Sequence, residues 1–193
     1  MKHYRGLTFV EMLVTISIFV LIMMGIMQSV LYFYRANTTA IEQSYQLDSA
    51  RKGVELMVRD LREAAYADNG AYPLVTMGST TLTFYSDTAR DQETERITYK
   101  LEGLILMRSV TEPAGDPPEY TGATATSSVS THVRNIEEGA PIFRYFGASG
   151  AEVTSSSDIT DIVSVTVSLV VNIRPVRAPE EFTLRSSATL RNL

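Results

Sequence analysis

Residues 6–34 read GLTFVEMLVTISIFVLIMMGIMQSVLYFY, and this stretch decides the fold. From Met12 to Tyr34, a run of 23 residues, no side chain is charged. As a helix the run would extend about 35 Å at ~1.5 Å per residue, enough to cross a bilayer core of about 30 Å. A secretory signal peptide has an apolar core of only about 7–15 residues and a small-residue cleavage site behind it. Here Tyr32, Phe33, Tyr34 and Arg35 follow instead. A membrane anchor fits better, with Tyr32 and Tyr34 placed as interfacial aromatics. Lys2 and Arg5 then belong on the cytoplasmic side, which puts the rest of the chain outside.

Glu11 does not suit an ordinary anchor. It stands at the edge of the apolar run, behind Leu7, Thr8, Phe9 and Val10. A carboxylate within a bilayer is costly. Two readings remain open: Glu11 sits solvated at headgroup level, or it has a cationic partner.

Taken together, Gly6-Leu7-Thr8-Phe9-Val10-Glu11 resembles the processing site of type IV prepilins and type II secretion pseudoprepilins. The resemblance implies a basic leader, Met1 to Gly6, removed by a prepilin peptidase that cuts between Gly6 and Leu7. The same enzyme is expected to methylate the new amine on Leu7. Glu11, fifth in the mature chain, is implied as the residue that pairs with a subunit amine. Leu7 departs from the family pattern, where phenylalanine or methionine is more usual. It is apolar and of similar bulk, so at worst slower processing is expected.

Helical patterning continues past the membrane. Leu47, Ala50, Val54, Met57, Leu61 and Ala64 keep 3/4 spacing and form one apolar stripe. Arg51, Glu55, Arg59 and Glu63 alternate in sign on another face, as a solvated surface with weak pairs. The pattern predicts a helix from Leu7 to about Tyr66, stopped by Asn69-Gly70 and Pro73. Gly25 has two readings, local bending or close helix contact, and a tolerated glycine with no role.

Beyond Tyr72 the period becomes two. Leu82 and Phe84 alternate with Thr81, Thr83 and Tyr85, and Ile97, Tyr99 and Leu101 alternate with Thr98 and Lys100. Glu102-Gly103 reads as a hairpin turn into Leu104 to Val110. Pro113 to Ser128 is expected to be a long exposed loop, and Gly147 to Ser157 a second polar loop. Ile142, Phe143, Tyr145 and Phe146 make a short apolar strand between them. Val163, Val165, Val167, Leu169, Val171 and Ile173 give one apolar face, as in an antiparallel sheet covered on one side. Arg174-Pro175 ends that strand. Phe182, Leu184, Ala188 and Leu190 are expected to return beside it as a long hairpin. This strand pattern, with Phe143-Arg144-Tyr145 and the closing Leu190-Arg191-Asn192-Leu193, is similar to the J-type minor pseudopilins and the related W-type minor pilins.

Composition narrows the function. With no cysteine, disulfides, thiolate metal sites and cysteine nucleophiles are excluded. The two histidines, His3 and His132, are far apart. No phosphate-cradling loop or nucleophile elbow occurs. Net charge is −5, and without Lys2 and Arg5 the 15 remaining basic residues face 22 acidic ones, a balance of −7. That sign opposes general phosphate-backbone binding, so no nucleic-acid partner is expected. No cofactor is expected. The resemblance leaves room for calcium at Asp158 and Asp161, since some pseudopilins bind it in loops, but Asp158 is expected to cap a turn instead. Glu137-Glu138 and Glu180-Glu181 read as surface charges. Tyr120, His132 and Arg134 could belong to a ligand surface but have no feature that separates them from exposed strand residues.

The expected architecture is α+β and pilin-like. It comprises a leader at 1–6, a transmembrane helix at 7–34, its amphipathic extension at 35–68, and an extracytoplasmic β-rich domain at 69–193. The expected function is non-enzymatic: a minor pseudopilin or minor pilin that initiates assembly of a filament. The alternative is a filament-borne module for adhesion or DNA capture. Expected partners are the prepilin peptidase, other pilins or pseudopilins, an inner-membrane assembly platform and membrane lipid.

Overall fold

A single helix, α1 (Phe9–Arg62), carries both the apolar run and the amphipathic stripe. The structure, a computed structural model, describes residues 8–89, 91–172 and 181–190. The chain divides into two units, Met1–Ser44 and Tyr45–Leu193.

In the first unit, Phe9–Asn37 is long and apolar enough to cross a membrane. Its 29 residues would extend about 44 Å, covering a hydrocarbon core plus part of both headgroup layers. Its apolar side chains are exposed along the whole length, as a lipid-facing helix requires. The few hydroxyls are accommodated locally. Thr15 Oγ1 donates to the carbonyls of Glu11 and Met12, both at 2.9 Å, and Ser17 Oγ donates to Leu13 O at 2.8 Å. Such back-bonding removes the cost of an unsatisfied hydroxyl in lipid.

In the second unit, the last turns of α1 bury Ala50, Val54, Met57, Val58 and Leu61. The helix ends at Arg62, earlier than the Asn69-Gly70 turn that the sequence suggested. A tertiary contact takes over there. Ala64 forms a β-bridge with Ser86, and Ala65 N donates to Tyr85 O at 3.0 Å, so the backbone joins a sheet instead of completing another turn.

Two antiparallel sheets surround this stripe. The larger contains β1 (Leu74–Met77), β2 (Thr81–Ser86), β3 (Glu95–Glu102), β4 (Ile105–Thr111) and β5 (Thr124–Thr131), in that order. The smaller runs β7 (Glu152–Val153), β6 (Phe143–Gly147), β8 (Ile162–Val171), β9 (Phe182–Thr189). Tyr145 stitches the sheets together: its hydroxyl donates to Gly78 O at 2.8 Å and accepts from Gly78 N at 3.0 Å. One apolar core takes residues from the helix stripe and both sheets, including Met57, Leu61, Phe84, Tyr99, Phe143, Val167 and Leu169.

The β3–β4 hairpin forms as read, with Gly103 at φ 60°, where a side chain would be strained. The β8–β9 pairing is also present, although Ile173, Arg174-Pro175 and Arg191-Asn192-Leu193 lie outside the described residues.

Three expectations need correction. Pro113 to Ser128 is not loop throughout, because Thr124 to Ser128 belong to β5. That strand is stabilised by hydroxyl pairs across its ladder, Ser109 with Thr126 at 3.0 Å and Thr111 with Thr124 at 3.1 Å, rather than by apolar alternation. The polar stretch Gly147 to Ser157 includes β7 and the start of a 3-10 helix, Ser156–Asp161. Finally, Val163 is exposed and Ile162 is buried in its place. The register shifts between Phe146 and Gly147, so that Ile162 pairs with Gly147 and Ser164 with Phe146. Val163 is the extra residue of a bulge, which reverses the alternation at the start of β8.

Candidate functional site

Of the sequence-predicted site residues, Gly6 and Leu7 lie outside the described residues, while Glu11 opens α1. Its carboxylate is already engaged. Thr8 N donates to Glu11 Oε2 at 2.8 Å, Thr8 Oγ1 donates to the same oxygen at 2.9 Å, and Glu11 N donates back to Thr8 Oγ1 at 3.3 Å. Thr8 and Glu11 thus form a reciprocal capping box, which satisfies donors that a helix start leaves without partners. The Thr-x-x-Glu spacing was a readable signal for it. The arrangement gives Glu11 a local partner that neither reading of the sequence included, and leaves its carboxylate exposed for a further one.

A second polar constellation was not foreseen. Asp60 on α1 is fully buried, as is Tyr99 on β3. Tyr99 Oη donates to Asp60 Oδ2 at 2.7 Å, Arg108 Nε on β4 donates to the same oxygen at 2.8 Å, and Arg108 Nε lies 3.2 Å from Tyr99 Oη. Burial, reinforced by the Asp60 carboxylate, pushes the Tyr99 phenol well above its usual range. Ser86 Oγ adds a bond to Asp60 O at 3.1 Å. These residues fasten the helix to the larger sheet.

The other candidates resolve differently. Asp158 does not cap its turn. Ser155 does, accepting from Ser157 N at 3.3 Å, and Asp158 sits at a non-helical kink within Ser156–Asp161 (φ −103°, ψ 23°), its Oδ1 accepting from Ser157 Oγ at 2.9 Å. Among the described residues, the acidic group of three whose oxygens come within 4.8 Å of one another is Asp87, Asp91 and Glu95. Glu95 is buried there because it closes a turn: Thr88 N, Thr88 Oγ1 and Ala89 N all donate to it, at 2.8, 3.2 and 3.3 Å. Glu112 nearby is raised above the usual carboxylate range by burial and then by Glu95, Asp91 and Glu93. Tyr120 is not part of an exposed ligand surface. It is buried against Tyr85, ring centroids 4.5 Å apart, and accepts from Asp68 N at 3.1 Å. Arg134 pairs with Glu137, and His132 Nδ1 sits 3.2 Å from Thr131 Oγ1.

Comparison with known families gives one match. Residues 1–27 fit the prokaryotic N-terminal methylation motif. No curated protein matches the chain. The motif therefore covers Gly6, Leu7, Glu11 and most of the apolar run. Joined to a long N-terminal helix packed on antiparallel sheet, it gives the chain a pilin-like architecture, consistent with the pilin and pseudopilin superfamily in general.

Proposed function

We propose that this protein is a minor pseudopilin or minor pilin, of the J or W type, that initiates assembly of a secretion pseudopilus or type IV pilus. The observation that carries the reading is the methylation motif over residues 1–27, whose residues from Phe9 onward lie in α1. The two sheets, with nine strands among the described residues, support a minor subunit, since major pilins usually have one shorter sheet. On this reading the chain enters the inner membrane with Lys2 and Arg5 inside and the β-rich domain outside. A prepilin peptidase cuts between Gly6 and Leu7 and methylates the Leu7 amine. The assembly platform then lifts the subunit from lipid into the filament. Glu11 meets the amine of a neighbouring subunit and sets the axial register.

Peptide mass analysis of the membrane-extracted protein tests the first step. The expected N-terminus is methylated Leu7; a mature chain that begins at Met1, or beyond Arg35, contradicts the reading. Deletion of the gene should abolish filament assembly rather than leave normal filaments that fail to attach or take up DNA.

A further inference from the structure

The free edge of the smaller sheet lies beside a charged groove on α1. Among the described residues, strand β9 pairs with β8 alone, in unbroken register from Phe182 with Val171 to Thr189 with Ser164. Leu190 N donates to Val163 O at 2.9 Å, one step beyond that register. Antiparallel ladders alternate bonded and non-bonded pairs. The bonded residues of β9 are therefore Phe182, Leu184, Ser186 and Ala188. Thr183, Arg185, Ser187 and Thr189 turn their N–H and C=O groups away from β8, to the open edge. Within β9 and among the described residues, only the single charge of Arg185 blunts this edge, since Phe182–Thr189 has no proline, glycine or inward-pointing charge.

Alongside runs a groove of about 480 Å³, lined by Ser186 of β9 and by Glu55, Val58, Arg59, Arg62 and Glu63 of α1. Along the helix, Glu55 to Glu63 is about 12 Å, the length of three to four residues of strand at ~3.3 Å each. Its charges are unequally engaged. Glu55 already accepts from Arg51 at 3.1 Å, and Glu63 is engaged as well. Arg62 has no carboxylate partner among the described residues, and Arg59 reaches only Asp60 Oδ1, at 3.5 Å. The groove therefore offers guanidinium groups and an open backbone ladder together.

We propose that this edge takes up an extended segment of a partner chain as an added strand, with carboxylate side chains on the face turned to Arg59 and Arg62. Backbone pairing supplies the affinity and the groove supplies the side-chain preference, as in other strand-addition sites beside a helix. A second copy of β9 is a poor occupant. About a two-fold axis at Arg185 it would set Arg185 against itself, and it carries no carboxylate for Arg62. The proposal is independent of leader processing.

The test uses the full chain in detergent micelles and a fluorescein-labelled octapeptide of alternating threonine and glutamate, with the threonine–lysine octapeptide as control. Fluorescence anisotropy should show binding of the glutamate peptide and at least about tenfold weaker binding of the lysine one, as for loss of a charge-assisted contact. Hydrogen exchange should slow at the amides of Thr183, Arg185, Ser187 and Thr189, while amides already bonded to β8 are unchanged. Arg62→Ala should weaken binding about tenfold by the same reasoning. Ser187→Pro removes an outward N–H and should abolish binding. If Ser187→Pro unfolds the sheet, the Arg62→Ala variant and the exchange pattern decide. Equal binding of both peptides, or no protection at the four outward amides, overturns the proposal. So does concentration-dependent self-association that protects the same amides without peptide, which would make a second copy the occupant.

Discussion

Tyr99 Oη donates to Asp60 Oδ2 across 2.7 Å, joining β3 to α1 with both side chains fully buried. Arg108 Nε completes the group at 2.8 Å from the same oxygen. The three residues come from one helix and two strands, so their contact exists only when the helix is seated on the sheet. Removing Arg108 leaves the buried Asp60 with only the 3.5 Å contact to the exposed Arg59 as charge compensation, a loss of up to about 3–5 kcal/mol. Removing only the Tyr99 hydroxyl leaves Arg108 in place and costs about 1–3 kcal/mol. Urea unfolding should therefore rank Arg108→Met as more damaging than Tyr99→Phe. The double variant Asp60→Leu/Arg108→Met should recover stability relative to Arg108→Met alone, because apolar residues of similar volume replace the charges. The reverse ranking, or no recovery, would show that the group is not a charge-compensated clamp.

Two buried phenols should make stability fall at alkaline pH. Burial raises both Tyr99 and Tyr145 above their ordinary value. For an acid whose folded pKa exceeds its unfolded one, the neutral form is favoured in the fold. The stabilising effect is complete below the unfolded value of about 10 and is lost as pH rises above it. Stability measured by urea titration should thus be level in this respect from pH 8 to about 10 and fall steeply beyond. Tyr145→Phe should start lower, having lost its bonds to Gly78, yet show a shallower decline above that pH. An unchanged slope in the variant would remove Tyr145 from the account.

Gly53 reverses the usual helix rule. Replacing a helix-interior glycine by alanine normally gains up to about 1 kcal/mol. At Gly53 an added Cβ would stand 2.9 Å from Val129 Cγ1 and 3.1 Å from Val129 O, so the helix meets β5 with no room for a methyl group. Overpacking of this kind costs about 1–3 kcal/mol, and valine is stiff at χ1. Gly53→Ala should therefore lower the melting temperature and Gly53→Leu lower it further. Gly25, with nothing within 4 Å of its would-be Cβ, is the internal control: Gly25→Ala should not destabilise the chain in micelles. A rise in melting temperature for Gly53→Ala would mean that β5 yields.

How far the sequence reached follows from where each signal resides. The apolar run and the stripe through Ala50, Val54, Met57 and Leu61 were legible because a helix repeats its signal every turn. The core positions Val165, Val167 and Leu169 were legible for the same reason at period two. Strand β5 was hidden because its partners are hydroxyls, and Thr-Ala-Thr-Ser-Ser reads as loop when its neighbour strand is unknown. The bulge at Val163 and the early end of α1 at Arg62 are settled by residues far along the chain, Phe146 and Ser86. Tyr99 and Arg108 lie 39 and 48 positions beyond Asp60, with no local pattern to connect them. At the N-terminus the reverse holds: Thr8 and Glu11 stand three residues apart, and their capping box was readable without any tertiary information.

That capping box gives the last prediction. Thr8 supplies two donors to one Glu11 oxygen, at 2.8 Å from its N–H and 2.9 Å from its hydroxyl. In lipid, where water is scarce, these bonds are what let a carboxylate open the helix. Thr8→Val keeps the shape of the side chain but removes the hydroxyl, leaving Glu11 with the backbone donor alone. The membrane-integrated fraction, measured by alkaline extraction, should fall for Thr8→Val. It should stay near the wild-type level for Thr8→Ser, which retains the hydroxyl. Glu11→Leu removes the acceptor, so Thr8→Val placed on that background should have little further effect on integration. The two positions are then coupled in a double-mutant cycle, as residues in direct contact are. Assembly separates the roles: Thr8→Val/Glu11→Leu should integrate yet co-purify poorly with partner subunits, because no carboxylate remains to meet a neighbouring amine. Additive effects of the two substitutions on integration would show that Thr8 does not act through Glu11. Full partner recovery by the double variant would reduce Glu11 to a residue that only starts the helix.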